Sequence, residues 1–438
     1  MDYKEAIRYL YGLGHEVLAA KYGLESITLL LERLANPHQS FSSVIVAGTN
    51  GKGSTAAMID SIARLAGHKT GLYTSPHLVR IEERIRESGQ MISEADFAKH
   101  AAEVRTAAEL LVVEGQLESV PTFFEQVTAI AFCYFRERGV KLAVLEVGLG
   151  GRLDATNVVD PIVAVVTAIA FDHQAILGNE IRQIAAEKAA VIKHGARAVI
   201  GRQQFEAATD VLMSRCLEEQ VLPVFVNSPE QVAVNDYGRL TFDYESAAST
   251  YSHVMLGLRG RHQAENAAAA IEAAELISQC GFRIPRESII RGLREVRWAG
   301  RLELIDDRPA MLLDGAHNPS GARTLRTYLD EFWTGPITLV FGAMGDKDIN
   351  GMASELFNVA RTIILTRVRD ARAATNASMG KPALGSTRNV IFTETVRQAI
   401  SWARSVTPPD GLICVAGSLY LVGEVKRLIE DEDQQPVV

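Results

Sequence analysis

Short, unbroken runs of aliphatic and β-branched residues, each followed by a stretch with helical spacing, constrain this chain more than any other feature. Val44-Ile45-Val46-Ala47 passes through a glycine turn into a segment with apolar residues at Ala57, Met58, Ile62 and Leu65. Residues 142–147 and 162–167 begin the same pattern again. A strand with one wet face alternates apolar and polar residues, whereas a run without alternation is covered on both faces. Strands of that kind, separated by helices, make a doubly wound parallel sheet. After an alanine-rich helix at 264–277 the periodicity breaks at Trp298-Ala299-Gly300-Arg301, and a second series begins at residues 310–313, 337–341, 362–365 and 412–416. The expectation is an α/β chain in two domains, 1–298 and 299–438, in line with about 150 residues per domain.

Lys and Arg number 45 against 53 Asp and Glu, for a formal net charge of -8. No excess of basic side chains exists to neutralise a nucleic-acid backbone, so no nucleic-acid partner is expected. Cys133, Cys216, Cys280 and Cys414 share no ligand spacing and read as reduced and buried. The longest apolar stretch, 162–171, is about half of the ~20 residues a membrane helix needs. With the charged opening Met1-Asp2-Tyr3-Lys4-Glu5, this leads to the expectation of a cytoplasmic protein with no membrane partner.

Between the first apolar run and its helix lies Ala47-Gly48-Thr49-Asn50-Gly51-Lys52-Gly53-Ser54-Thr55. Glycines let backbone N–H groups converge on an anion, the helix N-terminus adds positive potential, and Lys52 can reach terminal phosphates. The Walker spacing is missed: Val46 stands where the first glycine belongs, and Gly53 delays the hydroxyl to Ser54. Other segments follow other runs. Ser75-Pro76-His77-Leu78 with Glu83-Arg84-Ile85 is a functional loop or a solvated turn. Glu146 ends a buried run just before three glycines and needs a metal ion or a basic neighbour. Asp172-His173 falls at a strand's carboxyl end, where open α/β sheets collect ligands, although a lone His there also suits a structural role. Lys188 either snorkels or has a lowered pKa and an available amine. Gly260 through Asn266 and Asp314 through Pro319, with Arg301 between them, form a nucleotide clamp or a plain interdomain hydrogen-bond network.

Together these segments resemble the folylpolyglutamate synthase and dihydrofolate synthase branch of the Mur-type amide ligases, over nearly the whole chain. The delayed Ser54 is the normal form in that branch. Met344-Gly345-Asp346-Lys347-Asp348 and Gly417-Ser418-Leu419-Tyr420 add to the match. The resemblance implies a P-loop-type doubly wound sheet domain followed by a smaller Rossmann-like α/β domain that binds glutamate, with the active site in the cleft between them. It implies that a carboxylate attacks the γ-phosphate of ATP and that the acyl phosphate is captured by the amino group of glutamate. On this resemblance, Asn50, Gly51, Lys52, Gly53 and Ser54 hold the triphosphate, and Asn266, Arg301 and Asp314 contact the nucleotide. Ser75, Glu146 and His173 are the Mg2+ ligands it implies, for two ions. Lys52, Lys188 and His317 are its catalytic residues, with Lys188 carbamylated to support the second metal, which requires a neutral amine. The pterin side is Tyr22, Gly23, Leu24, Thr122, Phe124, Leu153, Asp154 and Ala155, with Phe124 placed to stack on a heterocycle.

The expected activity is ATP-dependent addition of L-glutamate to dihydropteroate, to the glutamyl chain of tetrahydrofolate, or to both, as in bacterial bifunctional enzymes. The partners are then small molecules (pterin or folate, L-glutamate, ATP), and the protein is a monomer. Two rivals stand beside this reading: a Mur-type ligase acting on another carboxylate, and a switch ATPase that releases phosphate without an acceptor. An inert interaction protein is expected to lose Lys52, Glu146, His173 or Lys188, and all four are present.

Overall fold

The computed structural model describes residues 1–14, 23–305, 308–383 and 389–433. Tyr22, expected on the pterin side, lies outside the described residues.

The first sheet has eight strands in the order Gln90–Met91, Ile85–Glu87, Thr70–Tyr73, Leu142–Glu146, Ser42–Ala47, Val163–Val166, Arg197–Ile200 and Pro223–Phe225. The six from Thr70–Tyr73 onward are parallel, and the two at the near edge form an antiparallel hairpin. Within Ser42–Ala47, Val44 and Val46 pack on one face with helices Lys52–Leu65 and His262–Gln279. Ile45 and Ala47 pack on the other with helices Ile181–Ala189 and Glu206–Glu218. The run lacks alternation because neither face meets water. Leu142–Glu146 divides the same way: Leu142 and Val144 join the first core, while Ala143 and Leu145 face Phe123–Arg138 and the N-terminal helices.

A three-stranded antiparallel sheet, Glu230–Val234, Arg239–Glu245 and Thr250–Arg259, was not part of the sequence expectation. Leu240, Phe242 and Tyr244 face the core under helix His262–Gln279. The hydroxyls of Tyr244 and Tyr251 donate to Glu272 and Glu275 at 2.7 and 2.8 Å.

The last sheet runs Glu303–Ile305, Ala310–Leu313, Leu412–Ala416, Ile337–Phe341, Thr362–Thr366 and Asn389–Thr393. It is parallel except for Glu303–Ile305. Its edge strands Glu303–Ile305 and Asn389–Thr393 are half-exposed, and the longest apolar run in them is the three residues 390–392. Among the described residues no helix is long and apolar enough to cross a membrane.

Candidate active site

The loops at the carboxyl ends of the parallel strands meet in one cavity of about 370 Å3 lined by both lobes. Backbone conformation fixes the phosphate loop. Gly51 has φ +88° and a Cβ there would strike the Asn266 carboxamide, so only glycine fits. Helix Lys52–Leu65 starts immediately after it, and the N–H groups of its first turn have no intrahelical acceptors. Lys52 donates to the carbonyls of Gly48 and Thr49 at 3.2 Å each, and Lys188 donates to the same Gly48 carbonyl at 2.9 Å. Two ammonium groups thus share one acceptor. Burial lowers the pKa of both; for Lys188 the neighbouring Lys52 charge adds to it and the value falls to about 7. Snorkelling requires a head group in water, and Lys188 is only 4% exposed, so of its two sequence readings the lowered pKa holds.

Glu146 is buried at the end of its strand and accepts the Ser75 N–H at 3.1 Å. Burial raises its pKa, against the nearby Lys52 charge and the Ser75 N–H. Ser75, Glu146 and His173 line the same cavity, yet no three His, Cys, Asp or Glu side chains converge as a ligand set among the described residues. The Glu146 carboxylate and Ser75 hydroxyl suit a hard cation, which binds through one or two carboxylates plus substrate phosphates. His173 Nε2 lies instead 2.9 Å from Lys347 Nζ. Burial lowers the His173 pKa to about 4, with Asp172 opposing.

Asp172 accepts from Lys347 at 2.7 Å and from Asn318 at 3.2 Å, and His317 Nε2 is 3.4 Å away. Burial opposes its ionisation, but the hydrogen bond from His317 and the surrounding positive charges outweigh burial and hold the carboxyl well below the usual range. Asn50 and Asn318 exchange amide hydrogen bonds of 3.0 and 3.4 Å across the lobes. Asp314 accepts the N–H groups of Leu302 and Ala316 at 2.9 Å; burial raises its pKa and Arg301 opposes. Gln263 donates to Ser54 Oγ at 3.2 Å and accepts from Asn266 at 2.9 Å, which ties the alanine-rich helix to the phosphate loop.

On the opposite wall, Asp154 accepts the N–H groups of Gly148 and Leu149 at 3.0 Å each and folds the glycine stretch back on itself. Burial raises its pKa against those donors and the Thr156 hydroxyl. Thr122 caps helix Phe123–Arg138, which holds Phe124 against Gly148. Gly23, Thr122, Phe124, Leu153, Asp154 and Ala155 all line the cavity. Leu24 does not: it packs against the core of the N-terminal helices, where an apolar side chain gains more by burial. Asn50, Gly51, Gly53, Ser54, Asn266, Arg301, Asp314 and His317 reach the cavity with Lys52 and Lys188. So do Gln263, Lys347, Ser418 and Tyr420, which the sequence placed in matching segments without a role, and Thr324, Leu325 and Arg372, which carried no local signal.

Residues 46–274 match the Mur ligase middle domain and residues 300–419 the Mur ligase, glutamate ligase domain. Over 98% of its length the chain is 35% identical to the folylpolyglutamate synthase of Lacticaseibacillus casei, of which it covers 99%. The chain belongs to the folylpolyglutamate synthase/dihydrofolate synthase family of Mur-type ligases. Within the family, the dihydrofolate synthase/folylpolyglutamate synthase of Bacillus subtilis is 33% identical over 98% of this chain and 99% of its own. A Haloferax volcanii protein named "Probable bifunctional folylpolyglutamate synthase/dihydropteroate synthase" is 38% identical over 97% of this chain, which spans 50% of that relative. Mycobacterium tuberculosis folylpolyglutamate synthase complexed with ADP and AMPPCP matches the fold with a TM-score of 0.86 at 31% identity, over 97% of this chain and 98% of that one. E. coli FolC in complex with DHPP and ADP gives a TM-score of 0.87 at 29% identity, over 99% of both chains.

Proposed function

We propose that this protein is an ATP-dependent ligase that adds L-glutamate to dihydropteroate, to the glutamyl chain of tetrahydrofolate, or to both, through an acyl phosphate, with release of ADP and phosphate. The observation that carries the reading is a single cavity with Lys52, Lys188 and Glu146 on one wall and Asp314, His317 and Lys347 on the other. A carboxylate is a poor acyl donor at neutral pH, and phosphorylation gives it a leaving group. The phosphate-loop N–H groups and Lys52 steady the charge that develops as the phosphoryl group moves. Glu146 and Ser75, with His173 as the third group by family resemblance, would hold Mg2+, which neutralises phosphate charge. Asn266, Arg301 and Asp314 surround the nucleotide. Phe124 offers a ring face to the pterin, beside Gly23, Thr122, Leu153, Asp154 and Ala155. Lys188, with a pKa of about 7, presents free amine at neutral pH, the form that adds CO2 and becomes a carbamate. A cytoplasmic monomer completes the proposal.

A phosphate-release assay with ATP, Mg2+ and L-glutamate, run with dihydropteroate, with tetrahydrofolate and with no pterin, tests it. Phosphate should appear only with an acceptor and in step with amide product. Equal release in all three would leave the switch ATPase.

A further inference from the structure

Asp172 belongs to the first lobe, in the loop after strand Val163–Val166, where its carboxylate accepts the His173 N–H at 2.9 Å, yet its other side-chain hydrogen bonds reach the second lobe. One carboxylate oxygen accepts from Lys347 Nζ at 2.7 Å. The other accepts from Asn318 Nδ2 at 3.2 Å and faces His317 Nε2 at 3.4 Å. These three partners stand in the loops after strands Ala310–Leu313 and Ile337–Phe341. Asn318 also binds Asn50 of the phosphate loop at 3.0 Å. The Asp172 and Lys347 side chains are 10% and 8% exposed, so solvent screens the pair little. The other interlobe ion pair of the described residues that is comparably short, Arg261 to Glu331, is 48% and 30% exposed on the rim, where such pairs contribute little. The buried carboxylate is thus the polar post on which the second lobe seats, and it stands beside the phosphate loop.

We infer that Asp172 is the positioning residue that sets the second lobe in register over the phosphate loop, so that the acyl phosphate meets the amine of glutamate and not water. This rests on the ligase reading above. In the coupled reaction the amine attacks the acyl carbon, the C–O bond to phosphorus breaks, phosphate leaves with the electron pair, and the amine loses a proton. In a site out of register water takes the place of the amine: the same bond breaks, phosphate leaves, the carboxylate is regenerated with release of a proton, and one ATP is hydrolysed without an amide. Removing the carboxylate also leaves the Lys347 ammonium with His173 Nε2 beside it but no counter-charge in the wall of the site, which loosens the seating further.

The test is the number of phosphates released per amide formed, measured on the full-length protein with ATP, Mg2+, L-glutamate and the acceptor it uses. Wild type should stay near one. Asp172→Asn should raise the ratio severalfold and lower the amide rate by roughly tenfold to a hundredfold, with ADP affinity close to wild type. Lys347→Met removes the partner from the other lobe; it should also raise the ratio, and it carries the test if Asp172→Asn does not fold. The double variant should be no worse than the poorer single one, because both remove the same contact. A wild-type ratio in the variants, or fully additive losses in the double one, overturns the inference. Phosphate release without amide in the wild type would instead overturn the ligase reading itself.

Discussion

The two lobes meet at one cavity but build their walls differently. The first presents a phosphate loop whose backbone, glycine geometry, half-buried Lys52 and buried Lys188 and Glu146 are fixed by packing on both faces of an eight-stranded sheet. The second presents single side chains on loops after three strands, Asp314, His317 and Asn318 on one and Lys347 and Arg372 on two others, over a six-stranded sheet. Pre-formed backbone donors stabilise transition-state charge without reorganisation, whereas single side chains act only where the lobes are in contact. On the proposed function, the difference would give charge handling to the first lobe and registration and acceptor capture to the second.

The sharpest way to break that division is Lys52→Ala. It should cut kcat by about three orders of magnitude, ~4 kcal/mol of transition-state stabilisation. The thermal midpoint should hold or rise, since a largely desolvated ammonium is removed. A loss of under tenfold in the phosphate-release assay would move charge handling out of the first lobe. Glu146→Gln keeps an acceptor for the Ser75 N–H and loses the charge; a rate fall of about a hundredfold and a higher Mg2+ requirement are expected from initial rates across Mg2+ concentration.

Lys188 gives a pH signature. Its pKa is about 7 in the folded protein against 10.5 for an ordinary lysine, so between those values the unfolded chain binds the extra proton and stability from this group rises with pH. Carbamate formation consumes the free amine and releases a proton, so the initial rate of labelled CO2 trapping on Lys188 at fixed dissolved CO2 should be roughly tenfold higher near pH 8 than near pH 6. A rise of about a hundredfold across that range, the slope of an ordinary lysine, would discard the lowered pKa. Asp314→Asn sharpens the picture of the second lobe: two N–H donors point at the carboxylate, and an amide can accept only on its oxygen side. About 1–3 kcal/mol of stability should be lost in urea unfolding, with weaker ADP binding by calorimetry. The smallest effect belongs far from the seam. Leu222, 90% exposed beside the outermost strand of the first sheet, can become Ser with a change within about 0.5 kcal/mol and no change in rate.

The same contrast explains what could be read from the amino acids. The inner strands of both sheets are doubly covered and show as apolar runs, and the phosphate loop is contiguous, so the fold and the first lobe's wall were legible. The delayed Ser54, a defect against the Walker spacing, is the hydroxyl that receives the Gln263 hydrogen bond. Arg239–Glu245 escaped notice because its signal has period two, Leu240, Phe242 and Tyr244 inward with Thr241 and Asp243 between them, and a search for unbroken runs passes over it. Lys347 stood in a matching segment without a role, and Arg372 is a charged loop residue with no local pattern around it; only the docking of one lobe on the other gives them a place. Leu24 was carried along by its neighbours, but its side chain follows the hydrophobic driving force into the N-terminal core.

Residues 53–63 of the phosphate-loop helix are buried without interruption, clamped between the sheet and the alanine-rich helix. A cradle so anchored cannot flex to let go of spent nucleotide. On the proposed function, departure of ADP would then fall to the parting of the lobes, and a handful of polar links, Asn50 with Asn318 and Asp172 with Lys347 among them, would have to be firm enough to assemble each cycle yet weak enough to yield at its end. The tempo of the whole protein is written in those few contacts.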